Sequence, residues 1–409
     1  MKLGLDNIRK LLSSLGDPQD NYLKVQVAGT NGKGSVCAFL ESICVHAGIS
    51  TGVFTSPHLV SMTERVRIDG EEIDEEGFAR FATHVREESD RMLASGELQY
   101  RPTFFEQITA IALLAFADAG VDLAILETGL GGRLDATTAA NSEIAVITRI
   151  EMDHQEYLGN TIHEIAAEKT AIIRPDSTVI VARQRPDAKR AIEQRCSVAG
   201  VNPIHATTEV HTRKGGNEFL TSTFITPRAS YGGIELGIAG RHQAENAAVA
   251  IAVAEELSGR GFAISTDDIS VGLETAEHPG RLEYLGHYLL DGAHNIDGVR
   301  ALTYYLEEFV EPPLTVIFGA MKGKDAAEML AELSRRADKL ILTSPDNTRS
   351  MSADELAALV PAAFDRSNLI LANSVDDALT AADEIGDDSL VLVTGSLYLV
   401  GEVKKILNN

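Results

Sequence analysis

Between Leu23 and Leu40 the chain reads LKVQVAGTNGKGSVCAFL, and Ala28-Gly-Thr-Asn-Gly-Lys33-Gly-Ser35 within it holds the residue types that bind phosphate. Leu23, Val25 and Val27 predict a short strand before the glycines, and an apolar period from Val36 predicts a helix after them. Such a turn points backbone N–H groups and the positive end of a helix dipole at one spot, where Lys33 adds a full charge. Lys33 then reaches the β/γ-phosphates of a nucleotide, and the Ser35 hydroxyl can take a place on Mg²⁺. The spacing departs from G-x-x-x-x-G-K-[ST]: Val27 replaces the first glycine, and Gly34 separates Lys33 from Ser35. A glycine-rich turn with a surface lysine is the plainer alternative, but it explains neither Lys33 nor Ser35.

More polar chemistry falls where other predicted strands end. Val121 to Leu126 is a continuous apolar run, as in a strand buried on both faces of a parallel sheet, and it empties into Glu127-Thr-Gly-Leu-Gly-Gly-Arg-Leu-Asp135. That is where an α/β sheet places ligand chemistry. Ile144 to Ile150 repeats the pattern and delivers Asp153-His154, which reads as a metal or catalytic pair or as a helix cap. Ser50 to Phe54 delivers Thr55-Ser56-Pro57-His58, and Leu282 to Leu290 ends in Asp291-Gly-Ala-His294-Asn295. Lys169 lies in an apolar, Ala-rich helical pattern, where a snorkelling lysine is the ordinary reading. The set asks for one nucleotide, at least one hard cation and a cleft between two domains.

The elements that must position these groups come from an ordinary globular composition, 44% apolar and 23% charged. At 409 residues the chain exceeds what one hydrophobic core usually serves, so two domains are expected. No apolar run reaches the ~18 residues that suggest a membrane span, and no secretory leader pattern opens the chain, which predicts a cytoplasmic protein without a membrane partner. A net charge of −24 argues against a nucleic-acid surface. Cys37, Cys44 and Cys196 are too few and scattered for a disulfide framework or a zinc site.

In order, the pattern predicts a helix over residues 3–15, the phosphate loop and its helix, and a strand at 50–54. A hairpin at 65–73, with Gly70 in its turn, and helices at 75–93 and 104–119 come next. Strands 121–126 and 144–150 and a helix at 161–173 follow. Residues 178–236 read as an appended β subregion with a helix near 187–198. Helices open at Gly240 and Thr266, and a boundary fits His278-Pro279-Gly280. The remaining alternation of strands and helices predicts a second, Rossmann-like sheet.

Ten motifs in this order resemble the folylpolyglutamate synthase/dihydrofolate synthase family, a branch of the Mur ligases. They are AGTNGKGS, TSPHL, ERVRIDGEEI, LETGLGGRLDATT, DHQEYLGNTIHEIAAEKTAII, GRHQAENA, PGRLE, DGAHN, FGAMKGKD and TGSLYLVGEV. The resemblance implies an α/β chain: a P-loop-containing, Mur-ligase-like domain over residues 1–278 with an appended small β subregion, then a smaller Rossmann-like domain over 279–409. It implies an ATP-dependent amide ligase of folate biosynthesis that phosphorylates the carboxylate of dihydropteroate or a reduced folate and passes the acyl group to L-glutamate. A monomer is the corresponding expectation.

By the same resemblance the backbone of Gly29, Thr30, Asn31, Gly32, Lys33, Gly34 and Ser35 holds the phosphates, and Ser35 with Glu127 binds a first Mg²⁺. Ser56, Glu127 and His154 match the ligands of a second Mg²⁺. Lys169 matches a lysine that is carbamylated, which reverses the snorkelling reading. Asn246, Arg281, Asp291 and His294 match nucleotide contacts, and Arg65 a residue at the substrate end. Lys33, Glu127, His154, Lys169 and His294 are the expected catalytic set.

Plainer roles compete: Asp291 and His294 as helix caps, Arg281 as a linker ion pair, Arg65 as a solvated hairpin charge. Two departures stand out: Thr138 where the family often has Asn, and EKTAIIR for the commoner EKAGIIK. The competing functions are a Mur-type ligase acting on a non-folate acid and a nucleotide-binding protein without catalysis. The GKGS and TSPHL loops favour the folate branch over the first, and the retained polar set argues against the second.

Overall fold

Leu23–Ala28 forms strand β1, buried over nearly its whole length and flanked by parallel strands on both sides. The computed structural model of the chain describes residues 4–206, 209–214, 220–386 and 389–408. Among them, one compact unit comprises residues up to 213 with 221–237 and 243–277, and a second comprises Lys214, Leu220 and 238–242 with the chain from His278 onward.

In the first unit β1 is joined by β2 (Thr51–Phe54), β3 (Val66–Ile68), β4 (Glu71–Glu72), β5 (Leu123–Glu127), β6 (Ile144–Ile147), β7 (Thr178–Val181) and β8 (Pro203–His205). The sheet runs β4-β3-β2-β5-β1-β6-β7-β8, parallel from β2 to β8 and antiparallel at the β2–β3–β4 edge. Its helices are α1 (Asp6–Ser14), α2 (Lys33–His46), α3 (Glu75–Ser95), α4 (Phe104–Ala119), α5 (Gln155–Leu158), α6 (Ile162–Thr170), α7 (Pro186–Ala199), α8 (Arg241–Gly259) and α9 (Thr266–Thr275). Sequence sets their ends: Thr103 and Glu106 form a capping box on α4, and Gly120, left-handed at φ 67°, stops it.

One core joins α1, α3 and α4 to Phe54, Ala124 and Leu126, and another joins α6 and α7 to Ala28, Ala145, Ile147, Val179 and Val181. Cys37, Cys44 and Cys196 are buried free thiols that pack as small hydrophobes.

The appended sheet is smaller than expected. Among the described residues β9 (Glu209–Lys214), β10 (Leu220–Ile225) and β11 (Ser230–Glu235) form it, while β7 and β8 extend the main sheet beyond β6. Local pattern marks short strands; partners distant in sequence decide which sheet they join.

The second unit holds β12 (Glu283–Leu285), β13 (Tyr288–Leu290), β14 (Leu314–Phe318), β15 (Lys339–Leu342), β16 (Leu369–Leu371) and β17 (Leu390–Thr394) in the order β12-β13-β17-β14-β15-β16. The strand expected over 282–290 is a hairpin, because Gly286 turns at φ 62° and β12 pairs antiparallel with β13. The remaining pairs are parallel, with α10 (Ile296–Phe309), α11 (Ala326–Leu333), α12 (Ala353–Ala357), α13 (Val375–Asp383) and α14 (Leu397–Leu407) between or after them. No helix among the described residues is long and apolar enough to cross a membrane.

Helix α2, which starts at Lys33, is seated against α9 through Gly272, where a Cβ would lie 2.5 Å from the Ile43 Cα. Backbone cannot yield as a side chain can, so Gly272→Ala is expected to lower stability by about 2 kcal/mol in urea unfolding. An unchanged midpoint and slope would show that the α2–α9 contact adjusts freely.

Candidate active site

Four adjacent parallel strands, β2, β5, β1 and β6, end along one edge of the first sheet. Ser56 follows β2, Glu127 closes β5, the phosphate loop follows β1, and Asp153-His154 follows β6. The register places Glu127 opposite Val27 and Ala28 opposite Ile147, so these residues share one sheet edge although the chain separates them widely.

The loop itself is held from the β6 side. Thr30 and Asn31 donate their backbone N–H groups to the Arg149 carbonyl at 2.9 and 3.2 Å. Gly29 packs so closely on Thr148 that a Cβ would meet Oγ1 at 1.8 Å, and a Cβ on Gly32 would meet the Asn246 Oδ1 at 2.2 Å. Gly32 has φ 89°, a conformation suited to glycine, and it brings no side chain to the N–H groups that open α2. Asn246 in turn donates to Gln243 Oε1 at 2.8 Å.

Lys33 Nζ lies 3.8 Å from Glu127 Oε1, both side chains being largely buried, and 3.5 Å from the Thr30 carbonyl. The other Glu127 oxygen accepts the Ser56 N–H at 3.1 Å. Ser35 is buried in the first turn of α2. Lys169 Nζ donates to the Gly29 carbonyl at 2.7 Å. Burial, and then the nearby charge of Lys33, push the Lys169 amine down to about 7. His154 is left-handed at φ 50°, its ring half-exposed with Nε2 3.7 Å from Asp153 Oδ2.

Three groups outside the expected site set, His58, Asp135 and Gln26, complete the edge. His58 Nδ1 accepts from Arg65 Nε at 2.8 Å, and Arg65 Nη1 donates to Ser56 Oγ at 3.2 Å, so Arg65 is a buried bridge and not a solvated hairpin charge. Burial and then the Arg65 charge lower the His58 pKa. Asp135 folds the glycine loop by accepting the Gly129 and Leu130 N–H groups at 2.8 and 2.9 Å. Gln26 donates to Thr137 and Thr138 at 2.9 and 2.8 Å, and Thr138 donates to the Gly132 carbonyl, so Thr138 still ties the loop to β1. The TSPHL motif was the signal for His58 and the polar run after β5 for Asp135; for Gln26 no local signal exists, because its partners Thr137 and Thr138 are distant in the chain.

In the second unit Asp291, at the end of β13, is buried and accepts the Leu282 and Ala293 N–H groups at 3.1 and 2.9 Å. Burial raises its pKa while the neighbouring Arg281 charge opposes the rise. His294 Nδ1 lies 2.9 Å from the Gly292 carbonyl, which fixes the proton on Nδ1. Asn295, and neither Asp291 nor His294, caps α10.

Among the described residues no three His, Cys, Asp or Glu side chains gather into a metal-holding group. Mg²⁺ seldom needs one, because it takes one or two protein oxygens and completes its shell with phosphates and water. The Glu127 carboxylate with the Ser35 and Ser56 hydroxyls offers that hard-oxygen chemistry.

Residues 27–254 match the Mur ligase middle domain and residues 280–397 the Mur ligase glutamate ligase domain. The dihydrofolate synthase/folylpolyglutamate synthase of Bacillus subtilis is 34% identical across 100% of this chain and 95% of its own. A Mycobacterium tuberculosis folylpolyglutamate synthase solved with ADP superposes with a TM-score of 0.93 at 30% identity, covering 99% of this chain and 94% of that one. A bifunctional folylpolyglutamate synthase/dihydrofolate synthase from Yersinia pestis, solved with AMPPNP and a Mn ion, gives 0.86 at 30% identity, covering 100% and 94%. With both Mur ligase domains in sequence and this likeness running end to end, the chain belongs to the folylpolyglutamate synthase/dihydrofolate synthase family of Mur ligases.

Proposed function

We propose that the chain uses ATP to join L-glutamate to dihydropteroate, to a reduced folate, or to both, as a soluble, monomeric cytoplasmic enzyme. Membership of the family makes it an ATP-dependent ligase of folate metabolism. The observation that carries the site assignment is the meeting of Lys33 and Glu127 at a glycine-capped helix N-terminus.

The chemistry requires it. A carboxylate oxygen is a poor leaving group, so the substrate carboxylate first takes the γ-phosphoryl group, giving an acyl phosphate and ADP. The glutamate amine then adds to the acyl carbon, loses a proton, and phosphate departs. Both partners of the first step are anions, so the protein's task is charge neutralisation and alignment.

Lys33 and the N–H groups of the loop from Gly29 to Ser35 take the phosphates, with Asn246 beside the loop at Gly32 and Arg281, Asp291 and His294 as the nucleotide contacts of the second unit. Ser35 and Glu127 would hold one Mg²⁺, and Ser56, Glu127 and His154 a second. Ions held there would supply charge neutralisation for the phosphate oxygens. Arg65, braced by His58 and Ser56, presents a fixed cation at the substrate end. Lys169, its amine held near neutrality, is the form of amine that adds CO₂: the N–C bond forms, a proton leaves, and a carbamate replaces the cation.

Glutamate-dependent phosphate release should appear with dihydropteroate, tetrahydrofolate or both, with a product heavier by one glutamate in mass spectrometry. Release with neither acceptor, while ATP still binds, would move the substrate to a different acid. Lys33→Ala and Glu127→Ala are expected to lose turnover by at least about a hundredfold with folding intact by circular dichroism.

Lys169 also makes a thermodynamic prediction. Its folded pKa of about 7 lies below its ordinary 10.5, so between those values the unfolded chain binds more protons and stability rises with pH. Below about 7 both states are protonated and the cost of the buried charge is constant. In CO₂-free buffer, Lys169→Met should flatten this rise relative to wild type; parallel curves would place the amine's pKa elsewhere.

A further inference from the structure

The phosphate loop rests on residues 148–151, and this ledge is organised by a carboxylate that the catalytic scheme leaves unused. Glu151 is 1% exposed, yet it accepts from Arg149 Nε at 2.8 Å and from Arg185 Nη1 at 3.1 Å. Both guanidinium groups are half-exposed, so the pair of cations is anchored on one buried anion. The same residue grips the loop through its backbone: its N–H donates to Thr30 Oγ1 at 3.1 Å, and the Thr30 hydroxyl donates to its carbonyl at 3.0 Å. Arg149 contributes the carbonyl that receives the Thr30 and Asn31 N–H groups, and its Nη1 lies 3.8 Å from Glu245. Gln184, next to Arg185, closes the rear by accepting the Ile150 N–H at 3.1 Å and donating to the Thr148 carbonyl at 2.8 Å.

A buried carboxylate is costly unless charge-assisted hydrogen bonds satisfy it, and here two arginines do so. Its backbone is fixed as a result, and with it the hydroxyl and N–H groups of Thr30 and Asn31. We propose that Glu151, clamped by Arg149 and Arg185, is a positioning residue that holds the phosphate loop in its nucleotide-binding shape. It touches no substrate itself; it acts through Thr30. This rests on the nucleotide reading of the loop given above, and in a chain of net charge −24 it also keeps two cations beside that loop.

The test is isothermal titration of the full chain with Mg²⁺ and AMPPNP. Glu151→Ala should raise the Kd about tenfold, and Arg185→Gln, at a half-exposed position that leaves folding intact, about threefold. Thr30→Val combined with either should be less than additive, because both changes break one route, whereas independent sites would add. In turnover, KM for ATP should rise more than kcat falls. A merely structural role would lower the melting temperature and leave Kd within twofold in the folded variants, and that result, or full additivity with Thr30→Val, would overturn the inference. Wild-type protein that fails to bind AMPPNP would overturn the nucleotide site and this inference together; unchanged variants beside a binding wild type would overturn this inference alone.

Discussion

Everything at the site depends on the parallel pairing of β1 with β5 on one side and β6 on the other. The register sets Val27 against Glu127 and against Val146, so the strand that feeds the phosphate loop has a carboxylate beside it and the ledge of residues 148–151 on its far side. A slip of one residue would turn Glu127 to the opposite face and remove the partner of Lys33. The register is secured by burial: β5 and β6 are covered on both faces, and the polar residues appear only where the strands stop.

The same edge shows how an acidic chain manages buried charge. Lys33, Glu127, Lys169, Asp135 and Glu151 are all largely removed from water: Lys33 faces Glu127, Lys169 donates to the Gly29 carbonyl, backbone N–H groups serve Asp135, and two arginines serve Glu151. Two of these groups resist ionisation, Lys169 with its pKa lowered and Asp135 with its pKa raised, burial being the first cause in both. In the second unit Asp291 repeats the arrangement with Arg281. Such groups are costly for stability, and their concentration at strand ends marks where stability has been exchanged for chemistry.

Much of this was legible in the sequence because apolar runs, glycines and a following polar residue are local signals. The strand, loop and helix around Lys33, the strand ending in Glu127 and the alternating second unit could be read that way. Sheet membership was legible only in part: β7 is a continuous apolar run, Thr-Val-Ile-Val, as suits a parallel sheet, whereas β10 alternates, but β8 is too short to carry a pattern and only its pairing with β7 places it. Arg65 was legible by motif as a residue of the substrate end, but its bracing by His58 and Ser56 was not, because the fold alone brings that loop against the hairpin. Gln26 and Glu151 were silent for the same reason, since their partners Thr137, Thr138, Thr30 and Arg185 are brought near by the fold.

The central claim is that Lys33 and Glu127 form one phosphate and cation site at the start of α2. The most direct measurement is the affinity of AMPPNP with and without Mg²⁺ in wild type and Glu127→Gln. The account predicts that Mg²⁺ tightens binding strongly in wild type and little in the variant, which keeps the shape of the side chain but loses its charge. A variant that retains the full Mg²⁺ effect would contradict it, placing the cation away from Glu127.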